Sequence, residues 1–321
     1  MGTNLSKRIF PGTSLRKKLY WSTKMSSKSL PAGLRLRDLS DSRSRQAQIS
    51  VIMSVYNGMP HLKDAVKSIL GQTYKNIEFI IVDDGSTDNS WQYLKSLKDP
   101  RVKLIKNKKN LGLAKSLNIA LRQVFDSETQ TESAQGDFIA RMDADDICYP
   151  ERMDTQLKFL KKNPDIDLCG SWVTLINNKG EKIGANRKNP TDDKNIKKLL
   201  GIRPTIIHPT FFGKKDFFLH SGGYKNEFDG AEEYELLCRA KNKFTYANIP
   251  KELIYWRLRD ERRSMQMMDK MYDLDIKIKK KNLTNDGFNF YNLYGYSKIL
   301  VLHYLIPLPL KKKIARFLKI A

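Results

Sequence analysis

Hydrophobic positions along the chain change period at regular intervals. Ile49-Ser50-Val51-Ile52-Met53-Ser54-Val55 is β-branched and mostly apolar, the pattern of a strand buried on both faces. It stops at Tyr56-Asn57-Gly58, a turn sequence. Leu62, Ala65, Val66, Ile69 and Leu70 then fall at i, i+3, i+4, i+7 and i+8, which predicts one face of an amphipathic helix. A second strand is predicted over Ile77–Val82, ending in Asp83-Asp84-Gly85-Ser86-Thr87-Asp88. There Ser86 or Thr87 is placed to cap a helix carrying Trp91 and Leu94. Val102–Ile105 gives a third strand, and Asn110-Leu111-Gly112 leads into a helix aligning Leu113, Leu117, Leu121 and Val124. Phe138, Ile139 and Met142 mark a fourth strand, and a helical pattern begins near Pro150.

Strands alternating with helices predict an α/β fold, a doubly wound and mostly parallel sheet. Right-handed crossovers then bring the turns Ser54–Tyr56, Asp83–Asp84, Asn110–Gly112 and Asp143–Asp146 to one edge of that sheet. That carboxyl edge is where open α/β sheets bind ligands.

The chemistry of the edge centres on Asp143-Ala144-Asp145-Asp146, three carboxylates within four residues at the end of an apolar strand. Such groups repel one another unless a cation or a positively charged partner lies between them. With no Cys or His among the four, their hard oxygens favour Mn²⁺ or Mg²⁺ carrying substrate phosphates. The competing reading is a solvated acidic turn ahead of the next helix. At the same edge Tyr56 offers a flat face to a base, and Asp84 an acceptor for a base N–H. No Gly-x-Gly-x-x-Gly follows the first strand and no Gly-x-x-x-x-Gly-Lys-Ser/Thr loop occurs, so neither a classical dinucleotide fold nor a P-loop is expected.

The blocks Ser50–Asn57, Gln72-Thr73-Tyr74, Glu78–Asp88, Asn110–Ala114 and Asp143–Asp146 through Pro150-Glu151-Arg152 resemble, in this order, the family 2 glycosyltransferases of GT-A fold. The resemblance covers about 48–262. It implies a nucleotide-sugar half over 48–150 and an acceptor half over 151–262, followed by a separate extension at 263–321. It also implies an inverting transferase that passes a sugar from a nucleoside diphosphate, often uridine, to an acceptor hydroxyl. Ser54, Tyr56, Asp84, Asn110, Gly112 and Asp143 would then serve the nucleotide. Asp145, with Asp143 nearby, would hold the metal bridging the diphosphate.

Ala231-Glu232-Glu233-Tyr234-Glu235-Leu236-Leu237 resembles the family's Glu-Asp-Tyr-Asp-Leu-Trp block, whose second acid is the usual catalytic base. That position is Glu233, with Glu where Asp is typical, and Glu232 is the fallback. A solvated acidic helix start is the competing reading of this block. His208 is expected to be structural, Gly222-Gly223-Tyr224 a turn, and Trp172 and Trp256 core residues. The family's Arg-x-His is replaced by Arg257-Leu258-Arg259, which leaves either arginine to meet the diphosphate or to lie on the surface.

Charge changes the picture at the two ends. The net +23 divides into +9 over residues 1–47, +9 over 251–321 and only +5 between them. Basic ends on a nearly neutral middle suit arms held against an anionic surface, and no nucleic-acid partner is expected for the catalytic region. Residues 1–47 are Ser-, Lys- and Arg-rich and read as a disordered arm, although Met1–Ser6 fits the short N-myristoylation pattern. Three cysteines without zinc-type spacing offer no disulfide framework and point to a reducing cytoplasm. Lys277–Lys281 reads as a solvated helix face. Beyond it, Tyr291, Tyr294, Tyr296, the apolar run Ile299–Leu310 and Lys311-Lys312-Lys313 suit an interfacial anchor, because a dozen apolar residues cannot span a bilayer. A C-terminal helix packed on the domain is the other reading. Together these features predict a cytoplasmic, peripherally membrane-associated enzyme taking a nucleotide-sugar donor and a glycan or glycolipid acceptor, as in lipopolysaccharide or capsule synthesis. A non-catalytic nucleotide-sugar-binding relative, a processive synthase and a basic nucleic-acid-binding protein are the alternatives.

Overall fold

A computed structural model of the chain describes residues 48–125, 136–183, 188–258, 268–285 and 289–307, with Leu310. The N-terminal arm with its Met1–Ser6 pattern, Arg259 and Lys311–Lys313 lie outside the described residues.

The first half follows the hydrophobic pattern closely. Strands β1 (Gln48–Val55), β2 (Ile77–Asp83), β3 (Val102–Lys106) and β4 (Gly136–Met142) are parallel and lie in the order β3-β2-β1-β4. Helices α1 (Leu62–Leu70), α2 (Ser90–Ser96) and α3 (Leu113–Phe125) connect the first three of them and lead on toward β4. Because alternate strand residues point to opposite faces, Val51, Met53 and Val55 join Leu62, Val66 and Ile69 of α1 in one core. Ile52 and Ile80 join Leu117, Ala120 and Val124 of α3 in the other. Both faces of the sheet are thereby covered, which is why its strands read as continuous apolar runs.

The second half continues the same sheet. It adds β5 (Ile147–Cys148), β6 (Leu168–Ile176), β7 (Phe212–Lys214) and β8 (Tyr246–Arg257), giving the order β3-β2-β1-β4-β7-β6-β8-β5. The junction is β7, antiparallel to both β4 and β6. Helices α4 (Arg152–Lys162), α5 (Asp193–Leu199), α6 (Lys215–His220) and α7 (Glu232–Ala240) surround this half, and α8 (Met268–Asn285) and α9 (Phe290–Leu300) follow it.

Two local expectations are corrected. Helix α2 is preceded by Asn89, with no side-chain cap. Ser86 instead accepts from the Asn57 N–H at 3.0 Å, and the Thr87 N–H donates to Asn57 Oδ1 at 2.8 Å. These residues tie two turns together rather than starting a helix. Nor is Lys277–Lys281 a solvated face, since Ile278 and Lys279 are buried. Lys279 Nζ lies 2.9 Å from Asp275 Oδ2, and burial lowers the lysine pKa and raises that of the aspartate.

Helix α9 docks by backbone contact, because a Cβ on Gly295 would fall 1.9 Å from the Gly201 carbonyl oxygen. Replacing Gly295 by Ala is expected to lower stability by about 1–3 kcal/mol through overpacking. Thermal unfolding of the variant measures this, and an unchanged midpoint would contradict the docking.

Candidate functional site

The turns after β1, β2 and β3 form one hydrogen-bonded unit. Tyr56 is 49% exposed at its rim. Asp84 is buried, and its N–H donates to the Val55 carbonyl at 2.7 Å. Its carboxylate accepts from Asn107 Nδ2 and the Leu111 N–H, both at 2.8 Å, and from the Gly112 N–H at 2.9 Å. A carboxylate has about four acceptor positions, so Asp84 shapes the Asn110–Gly112 turn and keeps capacity for one more donor. Asn110 Oδ1 accepts from the same Gly112 N–H. Gly112 has φ +95, and a Cβ there would lie 3.0 Å from Asp229 Oδ2. That aspartate accepts from the Ala114 N–H through Oδ1, which caps α3. Ser54 is half-buried and pairs with Val82 in the ladder.

Past β4, the carboxylates of Asp143, Asp145 and Asp146 lie together, with one oxygen from each within 4.8 Å of the others. Asp146 Oδ1 accepts from the Arg257 N–H at 2.8 Å, and Arg257 Nε donates to the Asp145 carbonyl at 2.8 Å. Arg257 Nη1 reaches the carbonyls of Asn177 and Asn178. Arg257 is therefore a buried clamp on the acidic loop, and the expectation that it meets a diphosphate or lies on the surface is corrected. The all-oxygen donor set, with Asp143 and Asp145 half-exposed, fits a hard divalent cation.

A second acidic group forms where α7 begins. Glu232 is buried, and its Oε2 accepts from the Gly230 N–H at 2.6 Å. The side chain of Glu233 remains 24% exposed. His208 Nδ1 stands 3.8 Å from Glu232 and 3.9 Å from Glu233. His208 Nε2 is 3.0 Å from the Tyr224 hydroxyl. Asn118 fixes Tyr224 in turn, accepting from its N–H and donating to its carbonyl. Burial and the neighbouring Glu232 push the Glu233 carboxyl up to about 8. Burial and then Arg141 hold His208 well below its ordinary range, so it is neutral and cannot compensate the acids. A carboxyl poised near neutral pH with access to solvent can take a proton from a hydroxyl.

Arg141 joins the two groups. It is buried in β4, ion-paired through Nη2 to Asp143, and its charge also acts on Glu232, Glu233 and His208. Its Nε and Nη1 are buried without a hydrogen-bond partner among the described residues. Arg141 has no role among the expectations from sequence, and His208 and Tyr224 are expected to be structural. A charged residue within the apolar run Phe138–Met142 was the available signal for the first. Nothing local marked the other two. Trp256, expected in the core, is half-buried and packs against it, whereas Trp172 is half-buried and belongs to neither core cluster.

A family model described as Glycosyl transferase family 2 matches residues 50–221. An uncharacterized glycosyltransferase of Haemophilus influenzae is 30% identical over 74% of this chain and 73% of its own length. The O-antigen biosynthesis glycosyltransferase WbnJ of Escherichia coli is 31% identical over 79% of this chain and 96% of its own. The crystal structure of S. aureus TarS 1–349 in complex with UDP-GlcNAc superposes with TM-score 0.61 at 18% identity, over 81% of this chain and 73% of that one.

Proposed function

The chain belongs to glycosyl transferase family 2, and on that premise we propose an inverting enzyme that moves a sugar from a nucleoside diphosphate, most simply UDP, to a hydroxyl of a growing cell-surface glycan. That it is a glycosyltransferase follows from the family. The donor, the metal and the stereochemistry are our reading. One observation supports that reading: buried Arg141 is ion-paired to a three-carboxylate loop, and its charge also acts on a carboxyl raised to about 8. In our reading the first group binds a cation, the second supplies a base, and the sugar lies between them.

In this reading Tyr56 stacks on the base and Asp84 takes a base N–H, with Ser54, Asn110 and Gly112 shaping the turn and Asp143 near the ribose. Asp145 and Asp143 would hold Mn²⁺ or Mg²⁺, which when bound neutralises charge on the departing diphosphate. Glu233 takes the acceptor proton as the new C–O bond forms on the face opposite the leaving group, so configuration inverts. Glu232, held by the Gly230 N–H, keeps the Glu233 carboxylate basic through like-charge repulsion. Neutral His208, fixed by Tyr224, closes the inner wall. The two halves predicted at 48–150 and 151–262 then divide the work between donor and acceptor.

Nucleoside diphosphate release from a panel of UDP- and GDP-sugars, with Mn²⁺ or Mg²⁺ present, tests this. Metal-dependent release with one donor is expected. If no donor binds in the presence of metal, the assignment of Asp143 and Asp145 is overturned.

The acceptor side extends to the C-terminal helices. No helix among the described residues is long and apolar enough to cross a membrane. Phe290, Leu293, Tyr294, Val301, Tyr304 and Leu305 are all exposed. They recur along one stripe of α9 and the turn of helix after it, opposite buried Asn292, Gly295 and Ile299. An aromatic and aliphatic stripe beside a basic segment suits the surface of an anionic bilayer, and we assign it that role. In this reading the enzyme works at the cytoplasmic membrane face. In sedimentation with phosphatidylglycerol vesicles, the double variant Tyr304→Glu, Leu305→Glu is expected to weaken partitioning by about tenfold or more. Undiminished partitioning would remove this part of the reading.

A further inference from the structure

Away from both acidic groups, an open pocket of about 440 Å³ is walled by Trp172 of β6, the segment 189–192, α5 and Tyr291 of α9. Its aromatic wall is built with some care. Opposite Trp172 the pairing of β6 with β8 shifts twice, from Ser171↔Ile249 to Trp172↔Glu252 to Val173↔Ile254. Such bulges re-aim side chains, and Trp172 is half-exposed in a strand that is otherwise largely buried. Its indole N–H donates to the Asn189 carbonyl at 3.0 Å, while Asn189 Oδ1 accepts from Arg203 Nη1 at 2.8 Å. The ring is therefore locked before any ligand arrives. Tyr291 comes from the extension beyond the family match, held in place by the contact of Gly295 with Gly201.

The remaining lining mixes apolar Pro190 and Leu199 with polar and charged groups. Lys198, which lines the pocket, holds its Nζ 4.6 Å from the Tyr291 ring centre, and Lys188, just outside the lining, holds its Nζ 5.1 Å from that of Trp172. Exposed Asp192 and Asn195, which are hydrogen-bonded to each other at the start of α5, add a carboxylate and an amide with bonding capacity to spare. Aromatic faces accept the C–H faces of sugar rings, amides donate to and accept from hydroxyls, a carboxylate accepts from them, and the ammonium groups of Lys198 and Lys188 together outnumber the one carboxylate and favour an anionic substituent. A cavity of this size suits a short oligosaccharide rather than a nucleotide buried on all sides. The pocket is also tied to the catalytic side. Asn248 Nδ2 donates to the carbonyls of Pro190 and Thr205, joining its wall to the segment that leads into His208.

We propose that this pocket is an acceptor subsite that binds an acidic stretch of the glycan, one or two sugars from the hydroxyl that is glycosylated. The proposal rests on the transferase reading above, and deepens it by naming the acceptor's charge. The test is ¹⁹F NMR on the full chain labelled with 5-fluorotryptophan, with the Trp172 resonance assigned through Trp172→Phe. The probes are glucuronosyl-N-acetylglucosamine, as an acidic disaccharide, neutral chitobiose, and UDP. The acidic disaccharide is expected to shift the Trp172 resonance and to bind about fivefold or more tighter than chitobiose. Lys198→Ala, a surface change that leaves the fold intact, should abolish that preference. If UDP binds but neither disaccharide moves Trp172, the subsite is overturned while the transferase reading stands. Equal affinity for both disaccharides would overturn its selection for acidic glycans. Disaccharide binding at Trp172 with no UDP binding in the presence of Mn²⁺ supports the pocket and counts against the donor assignment instead.

Discussion

Glu233→Gln is expected to lower kcat by about 10²–10⁴-fold, the usual contribution of a general base, and at the same time to stabilise the folded chain. The two effects have one cause. Burial beside Glu232 raises the Glu233 carboxyl from its ordinary range to about 8, so the folded protein favours the protonated form more than the unfolded chain does. The sign follows from linkage. A carboxyl raised on folding costs nothing below its unfolded pKa near 4.5, and costs progressively more as pH rises toward 8. Gln removes that cost, so the variant should gain on wild type by about 1–3 kcal/mol at pH 8 and by nothing near pH 4, since Glu232 shares the charge. Activity runs the other way. The base must be ionised, so wild-type kcat/KM is expected to rise with pH toward a plateau above about 8. Thermal unfolding across that pH range, together with a pH–rate profile, checks both halves. A variant that loses activity without gaining stability would show that Glu233 is not the raised group. Retained activity would move the role to Glu232.

Arg257→Lys is expected to be the most damaging charge-conserving change in the described chain. Its guanidinium and backbone N–H together reach Asp145, Asp146, Asn177 and Asn178 from a site that is 2% exposed. Lysine keeps the charge but cannot make the fork of fixed N–H bonds. Buried carbonyls left without their donor should cost about 2–4 kcal/mol in stability. The acidic loop should also lose its orientation, weakening Mn²⁺ binding by about 10–100-fold, as is usual when the groups supporting a metal ligand are removed. Chemical denaturation and Mn²⁺ calorimetry measure the two effects separately. Stability lost with Mn²⁺ affinity intact would mean that Arg257 supports the fold and not the loop.

Much of the first half was legible because its information is local. Alternation in β1 and the i, i+3, i+4 spacing in α1 and α3 are properties of single segments, and the observed bounds differ from the predicted ones by about a residue or two. The Asp143–Asp146 cluster and the Glu232-Glu233 pair were legible for the same reason, as carboxylates crowded at the ends of elements. The cap expected at Ser86 or Thr87 does not form because both hydroxyls are engaged by Asn57, some 30 residues away. Lys279 was misread because burial of one lysine against Asp275 leaves no mark in a run of like charges.

The sequence by itself therefore determined the alternating α/β architecture of the first half, the edge on which its polar turns gather, and the carboxylates available there. Tertiary structure alone decided what those residues experience. It joined the halves through β7, a three-residue strand too short to carry a period. It paired Arg141 with Asp143, and it buried Glu233 beside Glu232, which set the proton affinity of Glu233. It turned Arg257 from a surface candidate into the clamp of a loop 111 residues away in sequence. It also brought Tyr291 toward Trp172 across more than a hundred residues. Desolvation and long-range charge depend on which segments meet, and periodicity within a segment does not encode that meeting.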